Sequence, residues 1–259
     1  MNKKKLILLI GGGLLVLLLA AAFVAVLNLD RIVKTGVESV GPRLTRTTVS
    51  LDGVSIRPFR GFGEIKGLEI GNPAGYEGEF AIRLGNAHLD LDPGSLTAEK
   101  VVIESMLIEG AEVILEGGLK DNNLTAIQKN VAEFSGTQEA APADEPADQQ
   151  GASKKLEVRQ FRIAGAKVHL RLSAMAGRNV TLIAPDIVLS DLGTGPEGIT
   201  VAELVQRAIK QLTDEVILLA GREAAKAGTE ALKDAAEKGA GEAVNQAAEG
   251  LKNLFQKKQ

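Results

Sequence analysis

The sequence predicts an α+β fold, mainly antiparallel β, set between an N-terminal transmembrane helix and C-terminal amphipathic helices. Three observations carry this. A 22-residue run, Leu6–Leu27, contains only Leu, Ile, Val, Ala, Phe and Gly. From Thr45 the apolar residues recur at every second position, in short stretches broken by Gly, Pro, Asn and Asp. From Thr200 the spacing becomes helical.

The apolar run is long enough to cross a bilayer, which takes ~20 residues. Lys3, Lys4 and Lys5 precede it. They hold residues 1–5 in the cytoplasm and send the chain after Leu27 across the membrane. A cleaved signal peptide is the alternative, because Ala20-Ala21-Ala22 offers a small-residue cleavage site. Phe23–Leu27 prolongs the run beyond that point and favours a retained anchor. Either way the body of the protein lies outside the cytoplasm.

Leu29, Ile32, Val33, Val37 and Val40 then follow helical spacing, and Gly41-Pro42 is expected to stop that helix. The region 28–134 continues as a β domain. Val49 and Leu51 share one parity, Val54 and Ile56 the other, with Asp52-Gly53 as a bulge or turn between them. Ile65, Leu68 and Ile70 follow. Phe80, Ile82 and Leu84 alternate, then Ala87, Leu89 and Leu91, with Gly85 at the switch of phase. Asp92-Pro93-Gly94-Ser95 is a turn. Val101, Ile103, Ile108, Val113 and Leu115 mark further strands. One apolar and one polar face describe an antiparallel sheet wetted on one side.

Asn123 is a plausible N-cap for a helix at about 124–134, carrying Leu124, Ile127, Val131 and Phe134. Residues 135–155 hold no Leu, Ile, Val or aromatic side chain and read as a disordered linker. The sheet pattern resumes over 156–192, with Gly165-Ala166 as a natural hairpin point. The region 199–259 is helical and Ala-rich. Thr200 and Glu203 form a capping box, with Ile199 and Leu204 at the staple positions. Residues 200–220 should pack firmly. Beyond Gly221 the stripe thins to Ala, so 222–255 is expected to be loosely docked or detached.

Composition narrows the chemistry. A net charge of −3 gives no global basic field, so no nucleic-acid partner is expected. With no Cys there is no disulfide, zinc–thiolate site, cysteine nucleophile or lipidated cysteine. Seven Phe, one Tyr and no Trp suit a thin sheet filled by Leu, Ile and Val. His88, Asp90 and Asp92 share one strand face and are the residues nearest to a cation site; a hydrated outer face requires the same alternation and is the favoured reading. His169 alternates with Lys167 and Arg171. Gly61-Phe62-Gly63-Glu64-Ile65-Lys66-Gly67 lacks the spacing and the following helix of a phosphate loop, and its glycines read as bends in a curled sheet. No nucleophile, Walker or zinc-protease motif occurs. No catalytic residue, cofactor or metal is expected.

Several segments carry a resemblance. They are the amphipathic helix ending near Gly41-Pro42-Arg43-Leu44-Thr45, the strands Val49–Ile56, and Gly63-Glu64-Ile65-Lys66-Gly67-Leu68-Glu69-Ile70-Gly71-Asn72-Pro73. Ile108–Leu115, Asn122-Asn123-Leu124 and the second strand unit Phe161–Leu170 add to it. Together with the N-terminal anchor, over residues 1–190, the chain resembles AsmA-like proteins. The resemblance implies a curled antiparallel sheet with an apolar groove, in a bacterial inner-membrane protein facing the periplasm. Larger relatives are associated with envelope integrity and with phospholipid transport between membranes. This chain is shorter, and its groove would not bridge two membranes alone. The groove expected on this reading is lined by Val49, Leu51, Ile65, Leu68, Ile82, Leu84, Leu89 and Leu91. The function expected is non-catalytic lipid binding or transport, or envelope organisation, with phospholipid as ligand. The alternative is a scaffold that recruits an envelope protein through its C-terminal helix. The same apolar faces could instead bury one another or dock that helix.

Overall fold

The computed structural model describes residues 28–139, 154–172 and 179–237. The predicted basic tail (1–5), the membrane-crossing run (6–27) and most of the predicted linker lie outside the described residues. Among those described, no helix is long and apolar enough to cross a membrane.

Among the described residues ten strands form one sheet: β1 (Val49–Ser50), β2 (Gly53–Arg57), β3 (Phe62–Ile70), β4 (Ile82–Leu91), β5 (Lys100–Glu109), β6 (Glu112–Gly117), β7 (Lys155–Ile163), β8 (Lys167–Leu172), β9 (Val180–Ile183) and β10 (Ile187–Leu192). Most are halves of longer strands. β5 and β6 keep a single register against β4, with Asn86 opposite Glu109 and Arg83 opposite Glu112. β7 and β8 run parallel to β5 and β6, with Ile108 opposite Ile163 and Glu112 opposite Lys167. β9 and β10 continue this, with Lys167 opposite Ile183 and Ile163 opposite Ile187.

Reading inward from these pairs, Gly85, Gly110, Gly165 and Pro185 fall on one line across the sheet. The pairs Lys66–Asn86 and Leu68–Leu84 add Gly67 to it, and Gly53–Lys66 with Ser50–Glu69 add Asp52. Gly67, Gly110 and Gly165 take φ of 59°, 64° and 47°, left-handed values that only glycine adopts without strain. At each of them the alternation slips by one residue, so that Ile108 precedes the line and Ala111 follows it, both buried, as do Ile163 and Ala166. All the strands slip together. The register therefore survives, the apolar side chains stay on one face, and the sheet creases and curls. Ala111, Ala166 and Ala184 line the inside of the bend.

Two expectations need correction here. Gly165-Ala166 is no hairpin: β7 and β8 do not pair with each other, and the chain bends there and continues. The sheet is mainly antiparallel, as expected, with β7 and β8 running parallel to β5 and β6 after a crossover through a helix. Apolar periodicity carries no information about strand direction. Gly41-Pro42 does not end the first helix, which spans Leu29–Thr45 (α1) and stops at Arg46 in a left-handed conformation. Pro42 forfeits one intrahelical bond, but its carbonyl still accepts the Arg46 N–H at 2.9 Å and the buried Leu44 and Thr45 hold the last turn in place.

α1 guards the edge of the sheet. Asp30 Oδ1 accepts the Ile56 N–H at 2.6 Å, Glu38 Oε1 accepts the Leu51 N–H at 3.2 Å, and Lys34 Nζ donates to the Leu51 carbonyl at 2.6 Å. These residues stand four apart, on one helix stripe, and they occupy the backbone groups that an edge strand would otherwise offer to another chain. At Gly41 the helix comes so close to β1 that a Cβ would lie 2.8 Å from Val49 Cγ1.

The second helix, α2 (Asn123–Glu139), runs past the expected end at 134 into the predicted linker. Its cap is Asn122 rather than Asn123: Asn122 Oδ1 accepts the Thr125 N–H at 2.9 Å, and Thr125 Oγ1 accepts the Asn122 N–H at 3.1 Å. The last helix, α3 (Val201–Glu237), is continuous through Gly221. Thr200 Oγ1 accepts the Glu203 N–H at 3.1 Å and Glu203 Oε2 accepts the Thr200 N–H at 2.6 Å. Leu204, Ile209, Leu212, Val216 and Ala220 join the inner face of the sheet and α2 in one core, and Ala224 is buried one turn further on.

Candidate functional site

The expected groove residues lie along the inner face of the sheet. Leu51 and Ile82 are buried. Val49, Ile65, Leu84, Leu89 and Leu91 are half-buried against the core. Leu68, also half-buried, stands opposite Leu84. The crease divides this face into two halves of different character. Beyond it, Val113, Leu115, Val168 and Leu170 are fully buried, and α2 packs on β6 with Leu124, Ile127 and Val131 equally inaccessible. α2 covers the centre of this half, while Val49, Leu68 and Leu84 stay half-buried, and α3 packs on α2 and touches β10 on the near side of the crease.

The other half is less complete. Leu89 lies between Gly63 of β3 and Met106 of β5, while Ile65 lies between Val54 and Ala87. Ile65, Leu89, Leu91 and Met106 remain half-buried. Gly63 is itself buried beneath its neighbours, and a Cβ there would crowd Ile56 Cδ1 at 3.3 Å and Leu89 Cβ at 3.4 Å. The result is a shallow apolar trough on β2–β5, at the end of the sheet that carries the β2–β3 turn. Each methylene moved from water onto such a surface gains about 0.8 kcal/mol, so a few carbons of an alkyl chain suffice for a useful interaction. Met106 was missed by sequence reasoning. The register shifts between Asp90 and Leu91, and this irregularity puts Met106 out of step with Ile103.

The opposite face is ionic. Glu157 accepts from Lys100 at 2.8 Å, and that hydrogen bond holds its carboxyl below the usual range. Asp186 is lowered by Arg162 and by the Gly165 N–H. Arg83 reaches Glu69 at 2.7 Å. His88 stands 3.9 Å from Glu64 and 3.7 Å from Glu109. Asp90 accepts from Ser105 at 2.6 Å, whereas Asp92 accepts the Gly94 N–H at 2.8 Å and caps a turn. His169 Nδ1 is 3.0 Å from Thr181 Oγ1. Among the described residues no three His, Cys, Asp or Glu are arranged to hold a metal ion.

A polar network fixes the rim beyond the crease. Asn123 Nδ2 donates to the Ile114 carbonyl and to Asn72 Oδ1, each at 2.7 Å, while its Oδ1 accepts the Glu116 N–H at 3.0 Å. Asn72 donates onward to the Gly78 carbonyl, and Glu116 accepts the Glu77 and Gly78 N–H groups.

Fold and site together define an α+β protein with a creased, mainly antiparallel sheet, ionic outside and apolar inside, with two helices packed against the inner face. The model of the AsmA family matches residues 1–183. The chain belongs to the AsmA family. The match ends with β9, so that β10 and α3 lie beyond it. No curated protein matches the chain.

Proposed function

We propose that this chain is a non-catalytic lipid-binding protein of the bacterial envelope. Residues 6–27 anchor it in the inner membrane, residues 1–5 are cytoplasmic and the bulk is periplasmic. AsmA membership supports the envelope assignment, and the uncharged run after Lys3–Lys5 supports the anchor and its orientation. The observation that carries the reading is the contiguous half-buried trough around Leu89 and Met106 on the inner face. It is a shelf for part of an acyl chain rather than an enclosed cavity. Its ligand is a phospholipid whose headgroup stays in water.

Native mass spectrometry of the gently extracted full chain tests this. Phospholipid adducts are expected on the unaltered protein. They should fall about tenfold in Leu89→Glu, since a carboxylate in an apolar trough is costly to desolvate. Lipid-free protein, or equal adducts in both, would overturn the reading.

A second reading has α3 recruiting an envelope protein. Val201 and Leu218 on that helix are exposed, at 51% and 47%. Loss of a copurifying partner on deletion of 222–259, with lipid unchanged, would favour it.

A further inference from the structure

The turn between β2 and β3, Arg57-Pro58-Phe59-Arg60-Gly61-Phe62, displays the most exposed large apolar side chain among the described residues. Phe59 is 79% exposed and Phe62 37%. Arg57 and Arg60, both exposed, stand on either side of Phe59. The turn is well braced. Pro58–Arg60 forms a single 3-10 turn, closed by the Gly61 N–H on the Pro58 carbonyl at 3.0 Å. The Gly61 carbonyl accepts the Leu91 N–H at 2.7 Å. A braced turn that holds a phenyl ring in water has no packing reason to do so.

Its position supplies one. Asp30 Oδ1 accepts the Ile56 N–H at 2.6 Å, and Asp30 Oδ2 lies 3.5 Å from Arg57 Nη1. Asp30 is the third residue after Leu27, where the uncharged run of the sequence ends. The turn is thus tied to the place where the chain leaves that run. The first turn of α1 adds exposed Arg31 and Ile32, the latter 52% exposed. Arg57 and Arg60 flank Phe59 and Arg31 precedes Ile32, while Asp30 on α1 and Asp90 opposite Phe62 are the acids beside them; arginines set against exposed apolar side chains are the composition that suits an anionic membrane interface.

We propose that the β2–β3 turn is a second membrane contact. Phe59 and Phe62 enter the boundary between headgroups and acyl chains of the bilayer, and Arg57, Arg60 and Arg31 meet anionic phospholipid headgroups. The contact rests on the reading of residues 6–27 as the anchor. It also deepens the lipid-binding proposal: Leu91, half-buried in the trough, is hydrogen-bonded to the turn itself, so docking the turn brings the mouth of the trough to the lipid surface.

The chain has no Trp, so Phe59→Trp installs a single emitter. The full-length variant is reconstituted into phosphatidylethanolamine–phosphatidylglycerol vesicles with and without brominated acyl chains. Quenching of about threefold is expected at position 59, since an interfacial indole lies within reach of the upper acyl carbons. Ile183→Trp, at a site 62% exposed on the opposite edge of the sheet, should stay unquenched. Adding Arg57→Gln and Arg60→Gln, or omitting the phosphatidylglycerol, should cut the quenching about twofold. An unquenched position 59 overturns the proposal whether its emission is red, meaning water, or blue, meaning cover by a second copy or a protein partner. Carbonate washing reports the anchor separately. Release of the chain would refute the anchor, while the quenching still decides the turn.

Discussion

Asn123 links α2, β6 and the segment after β3 through one buried amide. Replacing it by Ala strands the Ile114 carbonyl and the Glu116 N–H away from water, at a cost on the order of 3 kcal/mol. Chemical denaturation of Asn123→Ala should show this as a lower midpoint with an unchanged slope. The sequence reading placed this residue at the helix start but gave it the wrong role. Two adjacent Asn can each cap, and only the fold shows that Asn122 caps while Asn123 turns inward. Titratable pairs carry a second residue-scale expectation. Glu203 is lowered from 4.5 first by the Thr200 N–H, and Glu157 from 4.5 first by Lys100. A depressed carboxyl stabilises the fold fully above its unfolded value and loses that contribution as pH falls through the folded one. The denaturation midpoint should therefore be flat above about pH 5.5 and decline below about 4.5. In Glu203→Gln, which removes the titrating carboxyl, the decline should be shallower, whereas Thr200→Ala keeps the N–H donor and should mainly lower stability at neutral pH, by about 1 kcal/mol.

The crease is the main feature at the scale of elements. Gly110 sits on it with φ 64°, and an added Cβ would meet nothing nearer than Gly85 Cα at 3.5 Å. Space is available there, so Gly110→Ala isolates the backbone strain, about 1–2 kcal/mol. Thermal unfolding at matched pH measures it. A neutral outcome would mean that the bend does not depend on left-handed glycine. Period-two alternation made the strands legible, and the phase switch at Gly85 was visible in the same pattern. It did not reveal that Gly67, Gly110 and Gly165 switch phase along the same line, because a break in alternation looks alike whether the chain turns back or bends and continues. Gly165-Ala166 was misread for that reason. Hydrophobic spacing also concealed the edge-guarding stripe of Asp30, Lys34 and Glu38, since it reports which residues avoid water and is silent about polar groups that serve a neighbouring backbone.

Taken whole, the described residues form a creased sheet whose inner face packs on α2 and α3 and carries a half-buried apolar strip on β2–β5. Burial of Leu51 and Ile82, and partial burial of Leu89 and Leu91, follow from alternation. What lies over each of them does not, because that depends on how α2 and α3 dock from far along the chain. The half-buried trough on β2–β5 is short, and on the lipid-binding proposal it takes part of one acyl chain. The most direct measurement is photo-crosslinking in intact cells, with a benzoylphenylalanine at position 106 in the trough and, as the control, at position 188 on the outer face, where Val188 is 50% exposed. The account predicts a phospholipid adduct from position 106 and none from 188. Protein-only adducts from position 106, or equal lipid capture at both positions, would contradict it.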